Sequence, residues 1–198
     1  MGLDLDYING QTPLDEDEKD GLLIPTITTR GDLDEFEHLG VQKAMEWGMR
    51  REIDLDRILT VEFVLELHKR MFGSIWNWAG ERRKSNKNLG VDKNQILLEL
   101  KKLLDDCRFW IERKMFNEDE IAIRFSHRMV SIHPFTNGNG RHSRLIADIL
   151  ASHGLGRPNF TWGSNSLTAK GAARSKYLKA LREADEGNYQ PLVEFARQ

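Results

Sequence analysis

The 198-residue chain is long enough to bury one core, and its 39% hydrophobic and 30% charged residues suit a folded globular protein, not a disordered one. A formal net charge of −2 and a pI near 6.3 lack the basic excess of a general nucleic-acid binder. The single cysteine, Cys107, excludes an internal disulfide, no apolar run approaches the ~20 residues that span a bilayer, and Met1 to Asp4 lack a secretory start; a cytoplasmic protein without a membrane partner is expected.

The first stretch, to about Arg30, is acidic and turn-rich, with Asp15, Glu16, Asp17 and Glu18 in succession, and reads as an arm over residues 1–31. From Asp32, capped with Glu35, a helix is expected to turn Leu33, Phe36, Ala44 and Trp47 to one face. Thr60 then caps a helix carrying Val61, Val64, Leu65, His68 and Met71, ending near Gly73. Between Ile75 and Val91 the helical rhythm breaks. Trp76, Asn77 and Trp78 alternate and Gly80 and Gly90 allow turns, which suits a short β-hairpin or an extended flap. Its Arg82, Arg83 and Lys84 are either a local basic patch or a solvated hairpin edge; Trp76 and Trp78 either pack beneath the flap or mark an interface.

A long helix follows with Ile96, Leu97, Leu100, Leu103, Leu104, Cys107 and Ile111 on one side, so Cys107 should be buried. Asn117 and Glu120 form a capping box for a helix to about Ser131. Proline after His133 favours extended geometry there, and Gly138 and Gly140 favour tight turns. The helix resumes near Gly140 with Leu145, Ile146, Ile149 and Leu150, and stops near Gly154. Ser166 is expected to open a helix with Ala173, Tyr177, Ala180 and Leu181, stopped near Gly187, and Pro191 to open the last one.

Chemistry concentrates between His133 and Arg144. A helix beginning near Gly140 presents unpaired backbone N–H groups and the positive end of its dipole, a natural anion site. Glycines on either side of Asn139 let the backbone approach a bulky oxyanion, and Arg141 and Arg144 share one side of the helix. Two guanidinium groups over such a nest suit a polyphosphate. A largely neutral His133 at the entrance can take a proton from a hydroxyl, and Phe135 is expected to anchor the loop. The combination points to phosphoryl or nucleotidyl transfer. His127 and His142 match no usual zinc spacing with His133, and His127 reads as a helix residue packing under the loop.

The run from His133 to Arg144 resembles the signature of the Fic (Fido) family, H-x-F-x-(D/E)-G-N-G-R-x-x-R, at every fixed position except Asn137. Trp78 to Arg83 is similar to that family's W-A-G-x-x-R stretch, and Arg174 to Tyr177, continuing to Asn188, resembles its C-terminal helix. Within the family the chain most resembles the group called mobile mystery protein B, partly over residues 17–36. The resemblance implies an all-α Fic fold of about six to eight helices over residues 32–198, with the hairpin flap. It further implies transfer of AMP from ATP, with Mg²⁺, to a hydroxyl of a target protein. His133 would be the base. Gly138, Asn139 and Gly140 would hold phosphate through backbone N–H groups, with Arg141 and Arg144 on the β- and γ-phosphates. Ser85, Asn86, Lys87, Asn88 and Leu89 would form the flap that docks the target, and Tyr177 is either an adenine contact or a core residue.

Two departures matter. Asn137 stands where the signature has an acidic metal-binding residue, so weaker Mg²⁺ binding, a reduced rate or inactivity is expected. The inhibitory pattern (S/T)-x-x-x-E-(G/N) of some relatives is missing: Glu186 precedes Gly187, but Arg182 stands four before it. Control by a companion protein in trans, or none, follows. The competing functions are a Fic-like phosphotransferase and a non-catalytic nucleotide- or partner-binding module.

Overall fold

Capping side chains set where several helices of this chain begin. In the computed structural model, which describes residues 13–50, 52–164, 167 and 171–198, Thr60 accepts from the Phe63 N–H at 3.1 Å and Asn117 from the Glu120 N–H at 2.9 Å. Each satisfies a backbone donor that the first helical turn leaves open. These caps open α4 (Val61–Phe72) and α6 (Glu118–Ile132). Ahead of them lie α1 (Glu16–Lys19), α2 (Arg30–Arg50) and α3 (Leu55–Ile58), and α5 (Ile96–Arg113) stands between them. After them come α7 (Asn139–Ile149), prolonged by a π-turn over Leu150–Gly154, then α8 (Ala172–Asp185) and α9 (Gln190–Arg197). The predicted helix opening at Ser166 falls at a residue outside those described; α8 is helical from Ala172.

The start of α2 differs from expectation. Thr29, not Asp32, is the cap, and Asp32 is its partner: its carboxylate accepts from the Thr29 hydroxyl at 2.7 Å and backbone N–H at 3.1 Å. The buried face differs as well. It runs through Leu33, Glu37, Gly40, Ala44 and Gly48, and leaves Phe36 exposed. Glu37 carries no apolar signal, yet it is buried because Trp76 and Arg141 bond its carboxylate. The glycines have a steric reason: a Cβ on Gly40 would sit 2.2 Å from the Met71 carbonyl oxygen, and one on Gly48 2.7 Å from the Ile149 side chain. Thus α2 lies directly against α4 and α7.

Two hydrophobic clusters make the interior. The larger joins α2, α4, α5, α6 and α7 through Phe63, Leu67, Leu100, Phe125 and Ile146, and includes Leu14 and Ile27 ahead of α2, as well as buried Cys107. The smaller sets Tyr177, Leu192 and Phe195 of α8 and α9 against Ala122, Ile123 and Ala147. The antiparallel pair α6 and α7 belongs to both, so the loop joining them is braced from two sides.

The hairpin expected between Ile75 and Val91 does not form. That segment is a series of turns and bends, and the β feature among the described residues is a single bridge between Leu22 and Trp76. Side chains and helix-loop contacts satisfy its backbone instead of a cross-strand ladder. No helix among the described residues is long and apolar enough to cross a membrane.

Candidate active site

His133 ends α6. It is the left-handed C-cap residue (φ 54, ψ 60), not the extended residue expected before a proline, and its N–H reaches back to the Met129 carbonyl. The flap closes on it from both sides. The Arg83 N–H bonds the Pro134 carbonyl at 2.9 Å, and the Val91 N–H bonds the Ile132 carbonyl at 3.3 Å. Between them the Arg83 side chain, 3% exposed, donates Nε to the His133 carbonyl at 2.7 Å. Its remaining donors reach the carbonyls of Ser85 and Val91. Consequently one guanidinium ties His133 to the two ends of the flap, a role that the basic-patch reading of Arg83 did not contain. A Cβ on Gly90 would stand 2.6 Å from the His133 Cβ, so the flap lies in direct contact with His133.

The imidazole itself is 6% exposed. Burial pushes it down to about 4, helped by the charges of Arg83 and Lys87 and opposed by its hydrogen bond with the Val130 backbone. It is therefore neutral at pH 7, the state a proton acceptor needs.

The loop that follows is held by side chains. Asn139 braces it with two bonds to one residue, accepting from the Phe135 N–H at 2.9 Å and donating to the Phe135 carbonyl at 2.8 Å. Its side chain is thus spent inside the loop, and only its backbone N–H can serve a phosphate. Phe135 is fully buried and stacks on His68 with ring centroids 3.7 Å apart. His68 takes the Gly80 N–H on Nδ1 and therefore donates from Nε2 to the Asn137 carbonyl, each at 3.0 Å. His142 is buried beneath, bonded by Nε2 to the Val64 carbonyl at 2.9 Å, and His127 pairs with Asp185 at 2.8 Å. No group of three His, Cys, Asp or Glu among the described residues could hold a metal ion.

Gly138 caps α7 with φ 77, and a Cβ there would lie 2.5 Å from the Phe72 ring. The first hydrogen bond of α7 is from the His142 N–H to the Gly138 carbonyl. The N–H groups of Asn139, Gly140 and Arg141 have no acceptor among the described residues, leaving three donors aimed out of the helix start. The Gly138 N–H is taken by the Asn137 Oδ1 at 2.6 Å. That contact turns one lone pair of the Asn137 amide oxygen toward its own loop.

The arginines divide. Arg144 lies beside the helix start, its Nη1 3.5 Å from where a Gly140 Cβ would be, and 5.4 Å above the Tyr177 ring centroid. Arg174 of α8 is close enough for the Arg144 charge, after burial, to lower its basicity. Arg144 beside these N–H groups suits an anion, whereas the Arg174 guanidinium holds the Leu167 carbonyl. Arg141 is instead paired with Glu37 at 2.6 Å, and the same carboxylate takes the Trp76 indole N–H at 2.8 Å. Tyr177 is a core residue, packed between Trp162 and Phe195, and offers only its face to Arg144. In the flap, Asn86 folds back on Asp92 and Lys93, Asn88 and Leu89 are exposed, and Ser85 and Lys87 are engaged by the acidic arm.

Residues 58–151 match the Fic/DOC family. Over that stretch the chain is similar to Fic domains. It is 28% identical to "Protein adenylyltransferase Fic" of Aedes aegypti over 163 residues, and 26% identical to the protein of that name in Nematostella vectensis over 167. These alignments cover 80% and 82% of the chain but 31% and 37% of the relatives, so the chain spans about a third of their length. Among solved structures it is similar in fold to Caenorhabditis elegans Fic-1, with TM-score 0.67 and 21% identity, covering 90% of this chain and 51% of that one. It is likewise similar to Bartonella tribocorum BepC with bound AMPPNP, with TM-score 0.67 and 19% identity, covering 91% and 95%.

Proposed function

We propose that this chain transfers AMP from ATP to a Ser, Thr or Tyr hydroxyl of a target protein, with residues 32–198 as the catalytic unit and 1–31 as an arm. The observation that carries it is the neutral, buried imidazole of His133 at the end of one helix, next to the open helix start of another with Arg144 beside it. The naming of the relatives as adenylyltransferases and the AMPPNP in BepC support the same reading.

In this reading His133 takes the proton of the target hydroxyl, and that oxygen forms its bond to the α-phosphorus as the bond to the β-phosphate oxygen breaks. The N–H groups of Asn139, Gly140 and Arg141 receive the charge on the phosphate oxygens, and Arg144 accompanies the leaving pyrophosphate. Arg141, held by Glu37, contributes its remaining N–H groups from a fixed position. Mg²⁺ would come in on the ATP phosphates, since no carboxylate replaces Asn137, and would neutralise their charge there. The flap would align the target chain across His133. A companion protein in trans is the restraint proposed, as the resemblance implies.

ATP labelled at either the α- or the γ-phosphate, incubated with Mg²⁺, the protein and a cell lysate, separates the readings. Protein labelled from the α position alone, and lost with His133→Ala, is the expected result. Label from the γ position would show phosphotransfer, and equal labelling by wild type and His133→Ala would remove His133 from the chemistry. If the missing carboxylate limits the rate, Asn137→Glu should increase α-labelling by about tenfold or more.

A further inference from the structure

The acidic arm is joined to the flap by a charge cluster that the chemistry above does not use. The arm is pinned at its root, where the Leu23 N–H bonds the Ile75 carbonyl at 2.8 Å and the Asn77 N–H bonds the Gly21 carbonyl at 2.9 Å. A Cβ on Gly21 would fall 2.5 Å from the Asn77 Oδ1 and 2.6 Å from the Trp78 ring, so only glycine allows this approach. Toward its tip, the Trp78 indole N–H bonds the Glu18 carbonyl at 2.9 Å. There Lys87 of the flap donates to the carboxylates of Asp15 at 2.8 Å and Glu18 at 2.6 Å, with its side chain 5% exposed. The Ser85 hydroxyl sits 3.3 Å from Glu18 and 3.4 Å from Asp15.

Three facts give this cluster a direction. Lys87 belongs to the flap whose Gly90 lies against His133, a Cβ there standing 2.6 Å from the His133 Cβ, and its charge helps lower the basicity of the imidazole. Residues 81–94 carry five cations against two carboxylates, and Arg82, Lys84 and Lys93 line an open cavity of about 520 Å³ at the flap root. A nearly buried ammonium is costly to leave without a counter-charge, so a segment that displaces the arm from Lys87 must bring carboxylates of its own.

We propose that Ser85 and Lys87 form a docking surface for an acidic segment of the target, occupied in cis by Asp15 and Glu18. The reading rests on the flap being the place where the target docks. It makes the substrate class a hydroxyl residue flanked by Asp or Glu, and it makes release of the arm a charge exchange, not a simple opening.

The test uses the full chain and a fluorescein-labelled peptide of the arm sequence Pro-Leu-Asp-Glu-Asp-Glu-Lys-Asp, with a twin in which every Asp and Glu becomes Asn or Gln. In the Asp15→Asn, Glu18→Gln double variant the acidic peptide should bind about tenfold more tightly than to wild type, and the twin should not gain. Adding Lys87→Met should abolish that gain, and adding Lys87→Arg should keep most of it, a rescue that general loss of folding would not allow. Equal binding of the two peptides, or binding unmoved by Lys87→Met, would overturn the proposal. A second arm maps the sites labelled from α-labelled ATP in a lysate. Acidic neighbours should be enriched around the modified hydroxyls with wild type and lose that enrichment with Lys87→Met; an unchanged site pattern would count against the docking surface. Absence of any label would count against AMP transfer, while the peptide titration still decides the docking surface.

Discussion

At the residue scale, the account depends on His133 being neutral because it is buried, not because the solution is near neutral pH. Burial sets its titration near 4, so its competence as a base should persist through mildly acidic conditions. A pH profile of kcat/KM for the free enzyme should stay level from about pH 8 to about pH 5.5; a fall centred near the ordinary histidine value of about 6.5 would show an exposed imidazole. The same burial has a consequence for stability. The folded values of His133 and His142, both about 4, lie below the ordinary 6.5, so between these values the unfolded chain binds more protons. Their contribution is complete above about pH 6.5 and is lost as pH falls through about 4, at most on the order of 3 kcal/mol for each group. Denaturant melts at pH 7 and pH 4.5 should show the drop, reduced in His142→Asn. Arg83 is the other decisive residue. Hydrogen bonds from a charged donor contribute about 1.5–3 kcal/mol, so Arg83→Ala, which strands several carbonyls, should cost about 3 kcal/mol or more and loosen the flap. His133 was legible in the sequence because base, glycines and arginines are neighbours along the chain. The roles of Arg83 and Glu37 were not, since the partners that bring them to the site, His133 and Arg141, lie 50 and 104 residues away.

At the scale of elements, the site is the meeting of the end of α6 with the start of α7, and Gly138 sets its form. Gly138→Ala would need a positive φ that alanine resists and would press a methyl into Phe72. The expected result is weaker binding of inorganic pyrophosphate by about tenfold or more, with the α4 contact disturbed and the remaining helices intact by circular dichroism. Caps at Thr60 and Asn117 were readable because the polar residue and its backbone partner sit three apart. The flap was misread for the opposite reason. Alternating aromatics and two glycines look like a hairpin, yet Trp76 and Trp78 turn to Glu37 and to the arm, while the flap's ends bond to residues 132 and 134. Local pattern held no trace of those distant partners.

For the whole molecule, the two hydrophobic clusters meet on α6 and α7, so the loop from His133 to Gly138 is braced by both, and α2 carries Glu37 to Arg141 from the far side. Close approach of α2 to α4 allows this, and Gly40→Ala should force the helices apart and lower the melting temperature by several degrees, roughly the effect of 1–3 kcal/mol of overpacking. All-helical architecture was evident from periodicity, whereas the depth of α2 depended on a buried carboxylate that no periodicity reveals. The central claim is that the helix start binds nucleotide while His133 acts on the hydroxyl. The most direct measurement titrates a non-hydrolysable ATP analogue into His133→Ala and follows transfer from α-labelled ATP with the same preparation. Analogue affinity within about twofold of wild type together with loss of protein labelling is the predicted result. Labelling at the wild-type rate would contradict it.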